Sequence, residues 1–186
     1  MNPRLASVTT ALSEITTEAV QRFGPLSVEP LNWKPAAGRW SVAQCLDHLI
    51  VIQGLYFPLL DGLARKDPKP SFWEKHSPLS GFFGRFLIRT LDPANTKATK
   101  TPAKAEPSGS ALDGDIVERF RLHQAELIAH LEALPDDLDL ERTIITSPLL
   151  GFVTYSLDDA LTILVVHGQR HLGQARRVTE AEGFPR

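Results

Sequence analysis

Four stretches of apolar residues recurring at three- and four-residue steps constrain this chain more than any other feature. The first runs from about Pro3 to Phe23, with Leu5, Val8, Leu12, Ile15, Ala19 and Phe23 on one face, the period of an amphipathic helix. Gly24-Pro25 stops it. The second begins at Trp40-Ser41, where Ser41 and Gln44 form a capping box and Trp40 is placed to staple onto Cys45. Val42, Cys45, Leu46, Leu49, Ile52, Gln53 and Tyr56 mark its face, and Pro58 is expected to kink or end it. The third spans about Asp113 to Leu134, with Ile116, Val117, Phe120, Leu127, Leu131 and Leu134 in one stripe and Pro135 beyond. The fourth starts at Ser156, with Asp159 completing a second capping box, and runs to about Glu182 before Gly183 and Pro185. No internal repeat and no run of alternating strands appears. Amphipathic helices of about 20 residues each predict an all-α four-helix bundle.

The second and third helices are separated by a long connection, residues 67–109, with six prolines at 68, 70, 78, 93, 102 and 107. Ser80 to Leu91 is expected to form a short apolar helix lying over the bundle. A connection this long is often a lid or a binding loop. Its lysines, Lys97, Lys100 and Lys104, are read as solvated rather than as a phosphate site. The segment ERTIITSPLLGFVTYS before the fourth helix is irregular, with room for a short β-like turn.

Composition removes several function classes. With 186 residues, 42% hydrophobic and 23% charged, the chain is long enough for one domain with its own core. A net charge of −2 gives no general attraction to nucleic acid or to an anionic membrane. The single cysteine, Cys45, excludes an intramolecular disulfide and suits a reducing compartment. The first twenty residues carry Glu14 and Glu18 and no signal-peptide core, and no uninterrupted apolar run reaches about 18 residues. The expectation is a cytoplasmic, soluble protein with no nucleic-acid or membrane partner. No phosphate-binding loop, nucleophile elbow or dinucleotide fingerprint is present.

The chemistry lies in HGQRH. His167 and His171 are one turn apart, so they sit within about 40° of each other on one helix face. Both flank the stripe of Leu157, Leu161, Leu164, Gly168, Leu172 and Ala175. Alone, such a pair is either two metal ligands or two polar residues on a packed helix. His48, on the flank of the second helix, supplies a third imidazole if the second and fourth helices pack together. Three neutral imidazoles leave coordination positions for water or substrate. His123 and His130, with Glu126 nearby, are read as solvated helix-edge residues, and His76 as an exposed loop residue. Asp47 points about 100° away from His48 on its helix. Asp158 and Asp159 are read as capping residues, Tyr56 as core and Cys45 as packing.

GRWSVAQCLDHLI, followed about 120 residues later by HGQRHLGQARRV, resembles the DinB-like superfamily, in particular its DinB_2 group. LNWKPAAGRWS is similar to the family's loop into the second helix. The resemblance covers the chain in element order and implies a single four-helix-bundle domain over residues 1–186. It implies a metal triad of His48, His167 and His171, with Gln174 as a hydrogen-bond partner or a solvated amide. It further implies a divalent ion, zinc or nickel ahead of iron or manganese, although three histidines do not themselves select among these. The activity implied is that of a metal-dependent thiol transferase or hydrolase acting on a small molecule, with a low-molecular-weight thiol as a candidate cosubstrate and a homodimer as the assembly. The alternatives are a non-catalytic metal-binding or stress-related bundle and an interaction module with no metal.

Overall fold

The computed structural model describes residues 2–66, 71–77, 79–95 and 101–185, apart from the side chains of Trp73 and His76. The expectations for Lys97, Lys100 and the His76 side chain therefore lie outside the described residues. Lys104 is exposed, as expected.

The chain is mostly helical. Helix α1 (Pro3–Phe23) is capped by the Asn2 side chain, which accepts from the Arg4 N–H, and carries a proline in its first turn, where a missing N–H costs nothing. A short α2 (Val28–Asn32) follows; it was not expected. Its Asn32 side chain holds Leu112 by a reciprocal pair of hydrogen bonds, both 2.7 Å. Helix α3 (Val42–Gly54) begins at the Ser41 capping box and ends before the predicted kink, and α4 (Phe57–Ala64) starts anew with Pro58 in its first turn. Pro58 opens a helix here instead of bending one. Together Val42–Ala64 has the length and hydropathy of a membrane-crossing helix, yet most of it is buried within the protein.

The connection is more structured than a loop. It contains α5 (Phe72–His76), α6 (Ser80–Leu91, the predicted bounds) and a single 3-10 turn at Ala103–Ala105. Then come α7 (Ile116–Glu132) and α8 (Leu157–Thr179), whose N-terminal Ser156 accepts from the Asp159 N–H. Between them, β1 (Ile144–Thr146) and β2 (Thr154–Ser156) pair antiparallel, with Ile145 opposite Tyr155. The all-α expectation is corrected by this small sheet.

The four long helices pack in a closed ring of contacts, α1 against α7 and α8, and α3 against α7 and α8. Side-chain pairs fix their directions. Arg4 meets Asp158 and Thr162, Ile15 lies against Gly168, and Glu18 pairs with Arg176, so α1 and α8 run parallel. Asp47 pairs with Arg119 and Gln53 with Gln124, so α3 and α7 also run parallel. Trp40 meets His171 while His48 meets His167, so α3 and α8 are antiparallel. Parallel neighbours α3 and α7 require a crossover the length of the molecule, which accounts for the long connection. Between the helices, Leu12, Phe23, Leu46, Leu49, Phe120, Leu127 and Leu161 are fully buried.

Candidate metal centre

His48 owes its place to the start of α3. The Ser41 side chain accepts from the Gln44 N–H at 3.1 Å and the Gln44 side-chain Oε1 accepts from the Ser41 N–H at 3.3 Å, which fixes the helix entry two turns before His48. His167 and His171 stand one turn apart on α8, separated by Gly168, Gln169 and Arg170. The antiparallel contact of α3 and α8 brings all three together. Their ring centroids lie 5.0 Å (His48–His167), 4.5 Å (His48–His171) and 4.6 Å (His167–His171) apart. One nitrogen from each falls within 4.8 Å of the others. All three are buried, 4%, 8% and 7% exposed respectively, so the flank positions expected on each helix meet inside the molecule.

Burial sets the charge of the cluster. Desolvation, then mutual repulsion with His48 and Arg170, lowers His167 to about 3. Desolvation likewise holds His171 well below the ordinary imidazole value, opposed in part by the Gln174 amide. His48 is also lowered by burial, with the Ala105 carbonyl and Asp47 acting in the other direction. At neutral pH three uncharged imidazoles face one another, the protonation state a metal ion requires of its ligands.

The proton positions follow from the partners. The Ala105 carbonyl, 2.5 Å from His48 Nδ1, can only accept, so His48 carries its proton on Nδ1. Its Nε2 is then a bare lone pair, and the 3.1 Å contact to His167 Nε2 is an N–H donated by His167. The Gln174 side chain acts on the His171 ring as a hydrogen-bond partner, although Nδ1 of His171 makes no bond of full geometry. Three buried, neutral imidazoles that each offer one nitrogen within 4.8 Å of the others are the kind of donor set a divalent ion takes. The donor set therefore fits a metal ion.

The surroundings were only partly foreseen. The Trp40 indole stacks on His171 at 5.5 Å and tilts against His48 at 4.8 Å, forming a wall of the cluster. Arg170, between the two α8 histidines, donates to the backbone carbonyls of Asp92 and Asn95 and so ties the end of α6 to α8. Cys45 is buried and its thiol is pushed up to about 12, chiefly by desolvation, which fits packing and not nucleophilic attack. The Tyr56 hydroxyl bonds that of Tyr155 at 2.8 Å, a buried core pair. His123 and His130 are not simply solvated. His123 stacks on Phe57, His130 tilts against the same ring, and His130 Nδ1 lies 2.9 Å from Asp61.

The family model DinB_2, described as DinB superfamily, matches residues 11–175, a span that holds all three histidines. The chain belongs to the DinB superfamily. It is also similar to the uncharacterized protein YuaE of Bacillus subtilis (strain 168), 27% identical over 169 residues that cover 90% of this chain and 94% of that protein. No solved structure matches it.

Proposed function

We propose that this DinB-superfamily protein holds a divalent metal ion on His48, His167 and His171 and acts through it on a small molecule, as a thiol transferase or a hydrolase. The ring of α1, α7, α3 and α8 is read as the four-helix bundle that carries the site. The observation that supports the reading best is the convergence of three buried, neutral imidazoles with one nitrogen of each within 4.8 Å of the others. Zinc or nickel is the expected ion, ahead of iron or manganese. Such an ion, when bound, acts as a Lewis acid and lowers the pKa of bound water or thiol.

The chain's own residues supply the rest. Ala105 orients the His48 ring, Trp40 covers one side of the cluster, and the α3–α8 contact excludes bulk water. For a metal to use both facing nitrogens, the His167 proton must move from Nε2 to Nδ1, so binding is coupled to a tautomer change at His167. The nearest buried carboxylate, Asp47, is occupied by Ser108 and Arg119, so it is not assigned as a general base. A cytoplasmic location, a low-molecular-weight thiol as cosubstrate and a homodimer belong to the same proposal; light-scattering molar mass tests the last.

The near-complete burial of the three rings favours one second reading, an ion that only stabilises the fold. Metal analysis of protein made without a His-tag is the first test. Wild type is expected to bind one equivalent, and His48→Ala and His171→Ala to bind none. If the variants retain wild-type metal content, the triad is wrong. Cobalt substitution separates the two roles: a spectrum perturbed by added thiol supports catalysis, and one indifferent to thiol and other small ligands supports the structural role.

A further inference from the structure

Three residues on the first two turns of α3 grip the backbone of one distant segment. Gln44 Nε2 donates to the Gly109 carbonyl at 3.0 Å, Asp47 Oδ2 accepts from the Ser108 N–H at 2.6 Å, and His48 Nδ1 meets the Ala105 carbonyl at 2.5 Å. All three side chains are buried, Asp47 almost completely at 1% exposed. Ala105 is itself buried at the end of a 3-10 turn. Residues 105–109 thus form a strap lying along α3 beside the histidine cluster. The Gln44 amide does double service, since its oxygen closes the helix cap and its nitrogen holds the strap.

Burying a carboxylate is expensive unless its charge is compensated. Asp47 obtains one charge-assisted bond from the strap, and its other oxygen stands 3.7 Å from the Arg119 guanidinium on α7. Nothing about forming α3 demands an acid at this position, and an alanine would fill the helix as well. Its evident work is to hold Ser108, three residues beyond the carbonyl that dictates the His48 proton. A carbonyl that drifted by an ångström would release the ring to either tautomer, and only one of them turns a bare Nε2 toward His167 and His171.

We propose that Asp47 is a positioning residue for the metal centre: by anchoring the 105–109 strap through the Ser108 N–H, it keeps the Ala105 carbonyl on His48 Nδ1 and so presents the unprotonated Nε2 lone pair of His48 to the cluster. The affinity part rests on the triad reading above; the tautomer part does not.

The test uses the full chain, first stripped of metal, with 15N NMR of the imidazole nitrogens, and then zinc affinity by competition with a chelating dye. In wild type, His48 is expected to be protonated on Nδ1 and His167 on Nε2. Asp47→Ala is expected to spread His48 over both tautomers and to weaken zinc binding by about 10–100-fold, the usual effect of losing a partner behind a ligand. Asp47→Asn keeps an acceptor for the Ser108 N–H and is expected to retain the wild-type tautomer and most of the affinity. Ser108→Pro removes the donor from the exposed strap without touching α3, and decides the question if Asp47→Ala fails to fold. An unchanged His48 tautomer in the folded Asp47→Ala or Ser108→Pro protein overturns the proposal, as does unchanged zinc affinity. If wild type binds neither zinc nor nickel, iron or manganese, the proposed function fails while the tautomers still judge the strap.

Discussion

At the scale of single residues, the decisive property is that burial keeps histidines uncharged. Four behave this way: His167 at about 3, His123 at about 4, His171 well below its ordinary value, and His48 lowered. Unfolded, each would take up a proton near pH 6.5. The unfolded metal-free chain therefore binds more protons than the folded one below that pH. Stability supplied by these groups is complete above about pH 6.5 and is lost as the pH falls toward 4 and 3. Urea titrations of metal-free protein should show the unfolding midpoint falling steadily from pH 6.5 to 4.5. His167→Gln, which cannot protonate, should flatten that slope. A midpoint that is level across this range would contradict the buried neutral cluster. The same argument makes zinc affinity nearly independent of pH between 7 and 8, because no ligand must first lose a positive charge; a competition assay at the two pH values checks it.

At the scale of elements, what could be read from sequence was what local chemistry decides. The bounds of α1 and α6 and the Ser41 cap followed from periodicity and capping residues, whose interactions span only a few positions. The break at 55–56 was misplaced because Pro58 signals either the end of one helix or the start of another, and tertiary packing chose the second. Of the β1–β2 pair only room for a short β-like turn was legible, because three-residue strands carry too little pattern to give pairing or register. In the site, the His167–His171 spacing was legible, whereas Ala105 was not. A backbone carbonyl 57 residues from its partner leaves no mark in residue type. Glycines give a direct test of the element contacts. A Cβ at Gly84 of α6 would fall 2.1 Å from Asp159 Oδ2 and 2.8 Å from Asp159 Cβ, at the first turn of α8. Gly84→Ala should thus destabilise by roughly 1–3 kcal/mol through overpacking, despite its better helix propensity. Gly62 in α4 has nothing within 4 Å of that position, so Gly62→Ala should stabilise by about 0.4–1 kcal/mol. Denaturant titration of the two variants would reveal the opposite signs, and equal signs would mean that α6 does not seat on α8 as described.

At the scale of the whole molecule, the site joins elements that the chain itself connects only distantly. α3 and α8 meet at His48 and His167, 119 positions apart in sequence, and the Trp40 wall and the 105–109 strap close over the same end. Arg4 and Asp158 pin the N-termini of α1 and α8 together by a separate 2.5 Å ion pair. An ion on the three histidines would add a cross-link between α3 and α8 that exists only in the folded state, so its binding energy becomes folding energy. At a free zinc concentration of about 100 times Kd, the added stability is about 2.7 kcal/mol. For a chain of this length each kcal/mol moves Tm by about 2–4 °C, so the expected rise is roughly 5–11 °C. His171→Ala removes a ligand but leaves the α3–α8 packing around it, and its Tm should not respond to zinc at the same concentration. Differential scanning calorimetry of both proteins, with and without the ion, makes the comparison. A wild-type Tm unmoved by zinc that metal analysis shows to be bound would place that zinc somewhere other than this fold-dependent cluster, because a ligand held only by the native arrangement of His48, His167 and His171 must raise the temperature at which that arrangement is lost.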